Sequence, residues 1–146
     1  MAQDDSARTV EEVVVTALRK ETNLQDTAIT ITAISSDDME LKQLENFEDL
    51  QFAVPTLTFG KGAYSGAGIS LRGIGNFAVG NASSNAIGYF WNGQTASQSG
   101  LYEAEFFDVE RVEVLRGPQG TLFGSGTTGG AVQMITVRPN AEFGGN

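Results

Sequence analysis

Asp37 and Asp38, and Glu103 and Glu105, are the carboxylate pairs whose spacing suits acid–base or metal chemistry. Such a pair needs a second group to orient it or tune its proton affinity. The sequence has no histidine, so the commonest metal ligand and the usual base near neutral pH are missing. It has no cysteine, which removes thiolate chemistry and any disulfide framework. Nucleophilic arrangements of the Ser-His or Cys-His kind are thereby excluded. Adjacent acids at a helix start are accounted for by the helix dipole. Gly124-Ser125-Gly126-Thr127-Thr128-Gly129 matches the dinucleotide pattern G-x-G-x-x-G. That pattern works between a strand and a helix, where backbone N–H groups meet a pyrophosphate. Here a strand pattern follows it, so turn glycines are the better reading, and no Walker A run exists. No catalytic residue, metal site or cofactor is expected. Asn81-Ala82-Ser83 is a glycosylation sequon by pattern only.

The formal net charge is −9 over 146 residues, and no Lys or Arg cluster occurs. Phosphate backbones require such clusters, so no nucleic-acid partner is expected. The acidity is uneven. Residues 1–50 carry 12 acids and 4 bases, a net of −8, and residues 51–146 carry 6 acids and 5 bases, a net of −1. One domain fits this length. No apolar run approaches the ~18 residues of a membrane helix. The start, Met1-Ala2-Gln3-Asp4-Asp5, lacks the basic and apolar regions of a signal peptide and reads as a mature N-terminus with a start Met added.

Three valines and a threonine in Val13-Val14-Val15-Thr16 favour extended backbone. Ile29, Ile31 and Ala33 alternate with threonines, which predicts a half-buried strand. Ser36 or Asp37 caps a helix running to about Glu45, and Asn46 caps a second, with Asp49 at its third position and Pro55 as its stop. From Thr56 to Gly100 the texture changes. Ten of the 18 glycines fall between residues 51 and 100, where Lys61 and Arg72 are the only charges. Strand patterns at Thr56–Phe59, Ile69–Leu71 and Ile87–Trp91 are separated by long Gly-, Ser- and Asn-rich loops, and such loops usually carry function. Tyr64 and Phe77 lie on these loops and suit ligand contact or a small core equally, while Tyr89–Trp91, on a strand pattern, favour the core. Val112 and Val114 alternate with Arg111 and Glu113, a strand with one buried face, and Ala131–Val137 is a last strand ended by Pro139. The fold class expected is α+β, a small mixed β-sheet of about four strands with short helices and long Gly-rich loops.

The run from Asp108 to Gly124, with Arg111-Val112-Glu113-Val114-Leu115-Arg116-Gly117-Pro118-Gln119-Gly120 at its centre, closely resembles the signature of TonB-dependent outer-membrane receptor plugs. Thr128-Gly129-Gly130-Ala131-Val132 and Ile135-Thr136-Val137-Arg138-Pro139 continue it. Leu71-Arg72-Gly73-Ile74-Gly75 resembles the family's Arg-Gly strand, and Glu12-Val13-Val14-Val15-Thr16-Ala17 resembles a TonB box. The four pieces stand in the family's order. Two departures stand out. Asn92-Gly93 replaces the frequent Asp-Gly, a dipeptide equally suited to a tight turn. Ser125-Gly126 replaces a frequent Arg-Asn, which implies a weaker plug-to-barrel contact.

The resemblance implies a gating and ligand-sensing module, with no enzymatic role, inside the barrel of an outer-membrane nutrient transporter, for a siderophore, cobalamin or carbohydrate. The N-terminus would face the periplasm, and the domain would be soluble when isolated. Partners implied are the periplasmic domain of TonB, the receptor's own β-barrel and a small-molecule ligand. Residues 1–27 would be a flexible segment carrying the box at 12–17, residues 28–140 the plug, and residues 141–146 the start of a linker to the barrel. A barrel of about 22 strands, at 9–11 residues each, does not fit this length, so the chain reads as an excised or separately encoded plug. Glu12, Val13, Val14, Val15, Thr16 and Ala17 would bind TonB, an ordinary edge strand being the alternative role for this segment. Arg72, Glu113 and Arg116 would contact the barrel, an internal salt bridge with Glu113 being the alternative for the arginines. Tyr64, Ser65, Phe77, Asn81, Gln94 and Gln98, on loops at about 60–68, 75–85 and 93–100, would touch ligand. The rival reading is an independent soluble α+β domain that binds a small ligand or a protein.

Overall fold

Local capping sets the first helical elements. A computed structural model of the chain describes residues 14–15, 22–23, 30–62, 66–75, 86–96 and 102–139. Its elements are β1 (Val14–Val15), β2 (Thr22–Asn23), β3 (Ile31–Ser35), α1 (Ser36–Lys42), α2 (Phe47–Ala53), β4 (Leu57–Gly62), β5 (Gly66–Leu71), β6 (Ile74–Gly75), β7 (Ile87–Trp91), β8 (Gln94–Thr95), β9 (Val109–Arg116), α3 (Gly120–Phe123) and β10 (Gly130–Thr136). The cap of α1 is Ser35, one residue before the expected position, with its hydroxyl accepting the Asp38 N–H at 3.2 Å. Helix α1 also stops at Lys42, short of the expected Glu45. Gln43 turns left-handed there at φ 53°, its N–H donating to Glu40 O at 3.1 Å, and the Leu44 N–H donates to Met39 O at 2.9 Å. These are the two bonds of a Schellman end, and Met39 and Leu44 are both buried in the core beside it. Apolar burial has taken the place of the glycine that usually signals this stop. Helix α2 follows the expectation: Asn46 Oδ1 accepts the Asp49 N–H at 3.1 Å, and Asp49 Oδ2 accepts the Glu45 N–H at 3.0 Å. Pro55 follows its end.

The largest sheet has five strands in the order β3-β9-β10-β7-β8, with β7 and β10 parallel and the other neighbours antiparallel. A second, antiparallel sheet has the order β4-β5-β6, and β1 and β2 pair by themselves. The mixed sheet is therefore one strand wider than expected and has a companion. Much of the loop expected at 60–68 is the β4–β5 hairpin, where Gly60 pairs with Gly68 and Gly62 with Gly66. Strand β3 runs Ile31–Ser35, and Ile29 lies outside the described residues.

Register assigns each face of the five-stranded sheet. Thr32, Val114, Val132 and Tyr89 form one row, and Ile34, Val112, Met134 and Trp91 the next, on one face. Ala33, Glu113, Gln133 and Phe90, then Ile31, Leu115, Ala131 and Gly88, form rows on the other. The first face packs on Leu50, Leu57, Ile69, Leu71 and a fully buried Phe47. The Phe47 ring meets Tyr89, Tyr102 and Phe106 edge-on, with centroids 4.9, 5.5 and 5.4 Å away. The second face is also buried, where Ile31, Phe90, Leu115 and Ala131 cluster and Phe123 of α3 packs against them. The single buried face expected for β9 is thus corrected to two: a strand flanked on both edges and covered on both sides has no solvent face. Helix α3 carried no periodic signal because it is a single turn.

Two tight turns close hairpins in the two sheets. Arg72 and Gly73 have φ of 54° and 78°, and Asn92 and Gly93 have 48° and 81°. Positive φ at both central residues is the type I′ turn, which matches strand twist. Asparagine tolerates this conformation, whereas arginine pays the steric cost of its Cβ against the carbonyl. Arg72 is exposed, so no packing requires it there.

Two expectations follow. Arg72→Asn should raise the domain's stability by about 0.5–1 kcal/mol, read as a higher thermal midpoint; a lowered midpoint would mean that the arginine side chain supports the fold. Burial pushes the Tyr89 and Tyr102 phenols above their ordinary value, Tyr89 also through the neighbouring Tyr102. A raised folded value means that the neutral phenols stabilise the fold fully below the unfolded value of about 10. That contribution is lost as pH rises beyond it, so stability should fall above about pH 10, and Tyr89→Phe should flatten the fall. A pH-independent midpoint across that window would contradict this.

Candidate functional site

The glycine-rich connection between β9 and β10 folds back on itself. Gln119 N–H donates to Thr127 O at 3.0 Å, and the buried Thr127 hydroxyl donates to Gly124 O at 2.8 Å. The loop borders an open hollow of about 360 Å³ lined by Pro118, Ser125, Thr127, Thr128 and glycines, none of them ionisable. Its G-x-G-x-x-G run leads into β10, so a pyrophosphate would find no helix start there. Gly130 at its end has φ 145°, and a Cβ on it would stand 2.3 Å from Leu115 O. This position accepts glycine alone, which lets β10 approach β9 closely. Asp37 and Asp38 sit in the first turn of α1, where the dipole favours them, and Asp38 pairs with Lys42 at 3.8 Å.

Strand β9 then delivers its charges. Arg111 and Glu113, two residues apart, share a face. Arg111 Nε donates to Glu113 Oε1 at 2.9 Å, and its Nη1 also meets Glu110. Glu113 has 0% exposure. The Glu113 carboxylate, expected at the barrel wall, lies inside the domain and is held by Arg111, since strand alternation turns it inward. An arginine two positions away on the same strand was the signal available in the sequence. Arg116 does not take the internal role weighed for it with Glu113. Its Nη2 donates to Thr32 Oγ1 across β3, while its buried Nε has no partner among the described residues. Thr32 is a partner that only the β3–β9 register reveals. Arg72 projects from its turn with its backbone N–H donating to Thr56 O at 2.8 Å. Among the described residues neither Arg72 nor Arg116 has a carboxylate within ion-pair distance.

Val14 and Val15 form a short antiparallel ladder with Asn23 and Thr22, apart from the two larger sheets. Glu12, Val13, Thr16 and Ala17 lie outside the described residues, as do Tyr64, Ser65, Phe77, Asn81 and Gln98. Gln94 is exposed on β8, opposite Trp91. Tyr89 and Phe90 are buried and Trp91 packs against the core, which agrees with the core reading of this strand.

A family model described as the TonB-dependent Receptor Plug Domain matches residues 23–131. The iron-regulated outer membrane virulence protein of Vibrio cholerae serotype O1 is 30% identical over 148 aligned residues, covering 97% of this chain and 22% of that protein. Among solved structures, the siderophore receptor PiuA from Acinetobacter baumannii aligns over 91% of this chain and 18% of its own, with a TM-score of 0.71 and 25% identity. The ferric yersiniabactin uptake receptor FyuA from Yersinia pestis aligns over 78% of this chain and 18% of its own, with a TM-score of 0.67 and 27% identity. The chain spans about a fifth of the length of these relatives. With the signature strand, the Arg-Gly turn and the late glycines all built into one fold that these receptors share, the chain belongs to the TonB-dependent receptor plug domain family.

Proposed function

We propose that this domain is the gate and ligand sensor of an outer-membrane transporter that actively takes up a scarce nutrient such as a siderophore, cobalamin or carbohydrate. The observation that carries the reading is the family match over residues 23–131, and the relatives' names, which speak of iron and siderophores, favour a ferric complex. In this reading the domain catalyses nothing. It fills the lumen of the receptor's β-barrel with its N-terminus toward the periplasm, and TonB draws on residues 12–17 to open a path. Arg72 and Arg116 serve the barrel wall. An exposed arginine kept at a left-handed turn position, and the lack of a carboxylate on either arginine among the described residues, support carboxylate partners outside this chain. Arginine suits them because its planar fork holds a carboxylate through two bonds. Gln94, with Tyr64, Ser65, Phe77, Asn81 and Gln98, serves the ligand.

The extended backbone of Val14–Val15 supports strand addition as the mode of TonB binding. In that mode backbone hydrogen bonds supply most of the affinity and alternate side chains fill shallow pockets. Titration with the periplasmic domain of TonB tests this. Val14→Pro removes an N–H and fixes φ, so it should abolish binding and leave the thermal midpoint nearly unchanged. Val14→Ala should weaken binding far less, because the backbone pairing survives. Undiminished binding by Val14→Pro, or a midpoint lowered by many degrees, would assign the segment to the fold and not to TonB.

A further inference from the structure

Asn92-Gly93 is the only Asn-Gly pair in the sequence. Asparagine cyclises onto the amide nitrogen of the next residue fastest when that residue is glycine, which has no side chain to block the approach. Both residues are exposed, so water reaches them. The reacting amide is also held at both ends: Asn92 Nδ2 donates to Thr136 Oγ1 at 2.9 Å, and Asn92 Oδ1 accepts the Thr136 N–H at 2.9 Å. The Asn92 N–H itself donates to Met134 O at 2.8 Å, which ties the turn to the end of β10.

We propose that Asn92 is a site of spontaneous deamidation in this domain and that its clamp to Thr136 sets the rate. The Gly93 backbone nitrogen attacks Asn92 Cγ and gives up its proton to water. The Cγ–Nδ2 bond breaks, and Nδ2 leaves as ammonia, so a five-membered succinimide remains. Water then opens the ring at one of its two carbonyls, which yields aspartate or isoaspartate. The clamp opposes the first step, because Cγ cannot swing toward Gly93 while Oδ1 and Nδ2 are both bonded to Thr136. The two products differ in consequence. Aspartate keeps an oxygen for the Thr136 N–H and offers a second to the Thr136 hydroxyl as donor. Isoaspartate inserts an extra backbone carbon between β7 and β8, where a two-residue I′ turn has no room for it.

The test incubates the 146-residue chain at mildly alkaline pH, natively and in urea, with peptide mapping that separates asparagine, aspartate and isoaspartate at position 92. Native protein should react at least about tenfold more slowly than the chain in urea, since reaction waits on local opening. Thr136→Val, which keeps the backbone bond and loses the hydroxyl acceptor, should react about threefold faster than native, and Thr136→Ser should restore the native rate. Equal rates in the native state and in urea, no product in either, or no acceleration in Thr136→Val would overturn the proposal. Should Thr136→Val also lower the thermal midpoint, the comparison of native protein with urea still decides whether the fold protects Asn92, and Thr136→Ser, which keeps the hydroxyl, decides the clamp: a rate as fast as that of Thr136→Val would overturn it.

Discussion

Strand β9 pairs with β3 along one edge and β10 along the other, and both of its faces are covered. Its register therefore governs two interiors at once. Val112 and Val114 supply the larger one, around Phe47, and Leu115 supplies the smaller. A slip of one residue would exchange the faces, driving the Glu113 carboxylate into the aromatic cluster and the valines away from it. That exchange is costly on both sides of the sheet, so the pairing is strongly specified. The same register sets Arg116 beside Thr32 and brings the end of β10 to the Asn92 turn.

The buried Arg111–Glu113 pair follows from this constraint. A carboxylate with no solvent exposure is tolerated when a cation and hydrogen bonds replace its water, and removing one partner of such a pair is far more damaging than replacing both. The arginines of this signature strand thus divide their work. Arg111 is committed to the interior, while Arg116 keeps a nitrogen unpartnered among the described residues. Under the proposed function that division lets one strand hold the plug together and face a barrel wall.

The glycines serve structure as much as adaptability. In the β4–β5 hairpin they occupy paired strand positions, and at Gly130 one admits the close approach of β9 and β10. Glycine pays an entropic cost wherever it is ordered, and the aromatic contacts of Phe47 with Tyr89, Tyr102 and Phe106 help to offset it.

Much was legible in the residues themselves. The lack of histidine and cysteine closed whole classes of chemistry, the Asn46 cap and Pro55 bounded α2, the Asn92-Gly93 turn announced itself, and the signature run identified the family. These depend on residue type and near-neighbour spacing, which a chain carries wherever it folds. What stayed hidden required distant partners. The end of α1 at Lys42 depends on Leu44 finding a core, and the strand character of 60–62 and 66–68 depends on glycines meeting across a hairpin. The inward turn of Glu113 depends on the burial of both faces of β9, which its own residues do not decide. Local sequence set which conformations were available, and tertiary burial chose among them, because the free energy that separates a solvent-facing strand from an enclosed one comes from residues far away along the chain.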